Sequence, residues 1–213
     1  MSEVSDIFVS CPILNSNSRA LLQALVDSSF HVRLFSSIAV SVSNPLLSLL
    51  PAALSREFLR RRCPDGLITN LSPVREFFRL LALRSGAGDL TLSGRLLSSD
   101  RVCLDVDRHV SRALKSFAKH KSTKRALAYA YEDAAQETFE VARSIGAFTA
   151  YDLPIAYFET AEKIMAEEKE RYPHWLPTFA DSFLSPAKRE RKIQESQKAD
   201  CIIVPSQFVL DSL

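Results

Sequence analysis

Ala126–Tyr131 offers no polar face. Leu127, Tyr129 and Tyr131 fall on one side of an extended chain, and Ala126, Ala128 and Ala130 on the other. A strand that is apolar on both sides has to be covered on both sides, which is the condition of an inner strand in a parallel α/β sheet. The residues that follow agree with this. Ala135, Phe139 and Ala142 recur at i, i+4 and i+7, so a helix there presents one apolar stripe. Asp133 stands where a helix cap is wanted, and Gly146 where a helix stops. Ala147–Leu153 then reads as a second strand. Arg125–Pro154 is therefore predicted to form one strand–helix–strand unit, with a right-handed crossover as the strong default.

The flanking sequence supplies more elements of the same kind. Ile7–Ser10 suits a first buried strand. The polar run Asn15–Ser18 can cap a helix in which Leu21, Leu22, Leu25 and Val26 share a face. His31–Phe35 makes a second strand. LSREFLRRRC reads as a helix with Arg56, Arg60, Arg61 and Arg62 clustered on it, either as a solvated face or as a patch for phosphates or an anionic membrane surface. Val74–Leu83 is expected to be helical with Phe77, Phe78, Leu80 and Leu81 as its apolar face, Ser85–Ser99 a loop, and Val102–His120 a helix. Beyond the central unit, Tyr157–Tyr172 reads as a helix stopped by Pro173, with i,i+4 pairs at Glu159–Lys163 and Glu167–Arg171. Ser185 and Pro186 open a very polar helix running to about Lys198. Cys201–Val204 is a compact strand, and Pro205–Ser206 starts a last helix that carries no stop signal before Leu213. The whole pattern predicts a Rossmann-like three-layer α/β/α domain with a mostly parallel sheet, truncated before a further domain.

Several classes of function are disfavoured. A formal net charge of +2 over 213 residues does not suit a dedicated nucleic-acid binder. Cys11, Cys63, Cys103 and Cys201 are far apart, form no CxxC, and read as buried thiols of a reducing cytosol. The histidines His31, His109, His120 and His174 provide no ligand pair for zinc, so no metal site is expected. No glycine precedes Gly66, so the first strand–helix turn lacks the GxGxxG of a dinucleotide fold and no cofactor is expected. No basic leader and no apolar run of about 20 residues is present, which points to a cytoplasmic protein with room for peripheral contact at the inner membrane face.

Three segments carry a resemblance: YAYEDAAQETFEVARSIG from Tyr129, YDLPIAYFETAEKIMAEEKERYP from Tyr151, and KADCIIVPSQFVLDSL from Lys198. Together they resemble the amino-terminal domain of family 4 glycosyltransferases, retaining enzymes built from two Rossmann-like domains (the GT-B architecture). The likeness covers residues 125–213 and is weaker before them, where CPILNSNSRALLQAL and REFLRRR fall at the family's loop-and-helix opening and basic helix. It implies transfer of a hexose from a nucleotide-diphosphate sugar to a carbohydrate or lipid-linked acceptor. The family binds its donor mainly through a second domain that these residues do not include, and many members have a glycine-rich first loop where this chain has Asn15–Ser18. A domain of this kind is not expected to transfer sugar alone. The alternative is a non-catalytic interaction domain or gene remnant, for which self-association is the expected partner.

In an open parallel sheet, ligands sit outside the carboxyl ends of the strands. That rule and the resemblance together select the candidate residues. Asp152 lies where many relatives place a histidine near the reacting sugar, and is the candidate catalytic group; the same residue suits a turn before Pro154. Tyr131, Glu132 and Tyr157 are candidate acceptor contacts, Glu132 being equally suited to a solvated helix start. Asn17, Arg19 and Ser206 are candidates for the neighbourhood of the donor phosphates, and Ser206 also fits a simple helix cap.

Overall fold

The computed structural model describes residues 4–28, 30–41, 43, 58–120, 125–174 and 184–213. Six strands form one sheet: β1 (Val4–Ser10), β2 (His31–Ser36), β5 (Ile68–Leu71), β6 (Arg125–Tyr131), β7 (Phe148–Asp152) and β8 (Cys201–Ile203). Their order is β5-β2-β1-β6-β7-β8 and every pairing is parallel. Taken in chain order along the sheet, that is the 3-2-1-4-5-6 arrangement of the doubly wound Rossmann-like fold. The short strands β3 (Val40–Ser41) and β4 (Arg62–Cys63) pair separately. The helices are α1 (Ser16–Asp27), α2 (Pro73–Arg84), α3 (Ser99–His120), α4 (Gln136–Ser144), α5 (Phe158–Arg171), α6 (Pro186–Gln197) and the single turn α7 (Gln207–Leu210), with a 3-10 turn at Gly88–Thr91.

The two faces of β6 lead into two separate cores. Ala126, Ala128 and Ala130 join Phe8, Phe35, Val106, Val110, Leu114 and Phe139, where their small side chains admit α3 and α4 close to the sheet. Tyr129 and Tyr131 join Ile7, Val9, Leu22, Val32 and Leu34 on the α1 side. The α/β/α layering expected from the two apolar faces of this strand is thus the observed one. Phe8, stacked on Phe35 at 6.1 Å and meeting Phe117 edge-on at 5.3 Å, anchors the first core.

Helix ends follow local chemistry. Asn15 and Ser18 form a reciprocal capping box on α1, each side chain bonding the other's backbone N–H at 2.9 and 2.8 Å. Ser185 caps α6, with Pro186 opening its first turn. Gly146 closes α4 at φ 71°, a left-handed position suited to a residue without Cβ.

Five expectations change. Asp133 does not cap α4: it lies three residues before the helix, itself at φ 71°. The cap comes from Asp107 of α3, whose carboxylate accepts from Glu137 N at 2.9 Å and Thr138 N at 2.8 Å. LSREFLRRRC does not continue as a helix: Arg60 and Arg61 form a turn and Arg62 enters β4, while Arg56 lies outside the described residues. Arg61 is buried against the fully buried Glu76 at 2.5 Å, so the arginines do not share one solvated face. The side of α2 that packs inward carries Glu76 and Ala82, leaving Phe77, Phe78 and Leu81 exposed. Cys11 and Cys63 are buried thiols, but Cys201 is exposed on the edge strand. In α5, Arg171 bonds Glu168 at 3.0 Å, one residue from the expected Glu167.

Candidate functional site

The strand order reverses between β1 and β6, and a crevice opens beside that point at the carboxyl ends of the strands. Its volume is about 220 Å³, and it is walled by the start of α1 (Asn15, Asn17, Leu21), by β6 (Tyr129, Tyr131), by the end of β7 (Asp152, Pro154) and by the exit from β8 (Ile203, Val204, Pro205). The register explains why these side chains converge. Tyr131 is paired with Asp152 and Tyr129 with Ala150, so Asp152 is the direct neighbour of one tyrosine and the diagonal neighbour of the other. A tyrosine is long enough to reach either position.

The Tyr129 hydroxyl donates to Asp152 Oδ2 at 2.5 Å, and the nearby Tyr131 hydroxyl favours the ionised carboxylate. The two rings meet at 5.9 Å and 64°. Burial pushes the Asp152 carboxyl above its ordinary value, while the two tyrosine hydroxyls pull it back down. Burial also raises both tyrosines, and the Asp152 charge raises them further, so they stay protonated and act as donors. Beneath them the Cys11 thiol is wholly buried and pushed up to about 12, chiefly by that burial, which leaves no reactive thiolate in the crevice. A carboxylate has about four lone-pair sites. Asp152, half-buried and bonded by the Tyr129 hydroxyl, therefore retains capacity to accept from a ligand hydroxyl.

Of the residues selected from sequence, Asn17, Tyr131 and Asp152 line this crevice. Glu132 is held at 2.5 Å by Lys192 of α6, and its backbone N–H donates to the Asp152 carbonyl at 3.0 Å, bracing the site from behind. Tyr157 packs in the core; its N–H donates to Ser212 Oγ at 2.8 Å and its hydroxyl lies 3.3 Å from Ser196 Oγ. Arg19 directs a guanidinium N–H to the Arg60 carbonyl at 3.1 Å. Ser206 accepts from Val209 N as the cap of α7, which at four residues is too short to present a helical N-terminus to an anion. Tyr129 lines the crevice without having been selected, and Asn15 lines it as the first residue of the Asn15–Arg19 stretch. Tyr129 could have been found from its place two residues before Tyr131 on the same strand face.

Lys188, Arg191 and Lys192 of α6 engage Asp100, Glu132 and Asp133, with contacts of 2.9 Å for Lys188–Asp133 and 3.0 Å for Lys192–Asp133. Among them Glu195 is completely buried and accepts from Asp133 N at 3.0 Å, Ala135 N at 3.1 Å and the Tyr151 hydroxyl at 3.0 Å. Burial, then the Asp133 charge, moves its carboxyl up to about 7. Burial pushes Asp133 the same way, but the Lys192 and Lys188 ammoniums bring it down to about 2. This network pins the loop after β6 in its left-handed turn. Among the described residues no cluster of His, Cys, Asp and Glu is placed to hold a metal ion, and no helix is long and apolar enough to cross a membrane. No family model, curated protein or solved structure matches the chain at a significant level.

Proposed function

We propose that this chain is the acceptor-side domain of a retaining glycosyltransferase, acting on a nucleotide-diphosphate sugar together with a second, donor-binding domain. The observation that carries the reading is Asp152 at the carboxyl end of β7, held by the Tyr129 hydroxyl in the crevice beside the topological switch. The likeness of residues 129–146, 151–173 and 198–213 to family 4 glycosyltransferases supports it. In this role Asp152 accepts a hydrogen bond from the acceptor hydroxyl and places a negative charge beside the oxocarbenium-like transition state. Tyr129 fixes the carboxylate's orientation, Tyr131 stands beside it, and Glu132 braces the backbone behind it.

The test joins the chain to a donor-binding domain of such an enzyme and measures hexose transfer. Asp152→Ala should lower the rate by about 100-fold or more, the scale of a positioned acid–base or electrostatic group. The exposed Glu159→Ala should leave it unchanged. Transfer that survives Asp152→Ala intact would remove this residue from the site, and no transfer or donor hydrolysis in any joined form would remove the reading. A second reading, an interaction domain, is favoured by exposed Ile155, Ile203, Phe208, Leu210 and Leu213 on neighbouring segments tied by the Leu153 N to Ile203 O bond of 2.9 Å.

A further inference from the structure

Among the described residues, every side chain that lines the Asp152 crevice is neutral except Asp152 itself. Asn15, Asn17, Tyr129 and Tyr131 supply the other polar groups, and Leu21, Pro154, Ile203, Val204 and Pro205 supply apolar wall. The cation selected from sequence for this neighbourhood, Arg19, does not line the crevice and bonds the Arg60 carbonyl instead. The N-terminus of α1 is also occupied: its capping box already satisfies Ser18 N, so the helix end presents fewer N–H groups to an anion.

We infer that this crevice is a subsite for one neutral, hydroxyl-rich ring, a pyranoside without phosphate or carboxylate. This assignment rests on the acceptor-side reading above and narrows it to uncharged acceptors. Three observations support it. The volume of about 220 Å³ falls below the range of about 300–1,000 Å³ typical of drug-sized pockets, which suits a single ring. The polar groups are of mixed kind. Asp152 accepts, the tyrosine hydroxyls do both, and the Asn15 and Asn17 amide N–H2 groups make no hydrogen bond among the described residues. Hydroxyls, which donate and accept, match such a set, whereas an ionised phosphate is chiefly an acceptor and brings negative charge beside Asp152. The apolar wall suits the C–H face of a sugar ring, and an anion entering here would meet Asp152 with no lining cation among the described residues to offset it.

The test is an amide chemical-shift titration of the full chain at pH 7 with methyl α-glucopyranoside, glucose 6-phosphate and inorganic phosphate. The neutral glycoside should move the Asn15, Asn17, Tyr131 and Asp152 amides, with the two phosphate-bearing probes weaker by about tenfold or more. Asp152→Asn should shrink that difference to about threefold or less, because the repelling charge is gone. Asn17→Ala, at an exposed position with no packing role, should weaken the glycoside by about fivefold, the value of one lost hydrogen bond. Equal or tighter binding of either phosphate probe at these amides would overturn the assignment while leaving sugar transfer standing. Failure of every probe to move them would overturn it as well. A bound glycoside with no transfer in the joined enzyme would do the reverse, sinking the catalytic reading and sparing the subsite.

Discussion

Glu195 has a carboxyl with no solvent contact, three hydrogen-bond donors and a value moved up to about 7. Because its folded value lies above its ordinary 4.5, the folded state holds the proton more tightly than the unfolded chain does. The group's contribution is therefore most favourable below about pH 4.5 and declines as pH rises towards 7. Glu195→Gln removes that dependence. Chemical denaturation across pH 4.5–7 should show a flatter stability profile in the variant, together with a loss of about 1–3 kcal/mol from the broken backbone contacts. An unchanged slope would mean that Glu195 does not titrate in this window. None of this could be read from QESQKAD, where Glu195 looks like one more charge on a polar helix; only the packing of α6 over the end of β6 makes it internal. Asp152 was easier to find, since it ends a strand whose carboxyl end faces the crevice. Its two tyrosine partners follow from the alternation of β6.

At the scale of elements, α4 shows where local sequence stops being informative. Its apolar stripe and its closing Gly146 are visible in the chain, and both hold in the structure. Its N-terminal cap is not visible, because Asp107 lies far back in the sequence and reaches Glu137 and Thr138 only when α3 docks on α4. The left-handed Asp133 turn that displaces the expected cap is likewise fixed from outside, by the cations of α6. Asp107→Ala should cost about 1–2 kcal/mol, the value of a lost helix cap, and Asp107→Asn less, since one acceptor oxygen remains. Urea unfolding of the three proteins checks the order; equal stability of all three would deny the cap its role. The α1 box and the Ser185–Pro186 start of α6 were legible because their partners lie within four residues.

At the scale of the molecule, the strand order could not be read from sequence beyond the central unit, because which strands neighbour one another is decided by long-range pairing. The two-faced β6 did specify the layers. Apolar side chains remain exposed at Phe208, Leu210 and Leu213, beside the exit from β8. If this surface drives association, light scattering of the purified chain should show species larger than a monomer, and Phe208→Ser with Leu210→Ser should return it to one. A wild-type chain that is already monomeric at high concentration would set that reading aside.

The crevice has walls of unequal stiffness. Tyr129, Tyr131 and Asp152 stand on strands paired on both sides, whereas Ile203–Pro205 belong to or leave β8, three residues long and, among the described residues, paired with β7 alone. An edge strand this short opens at a lower free-energy cost than the central strands. The wall that β8 forms beside Asp152 is therefore the one that opens at the lower cost, while Tyr129 and Tyr131 stand on a strand held from both sides.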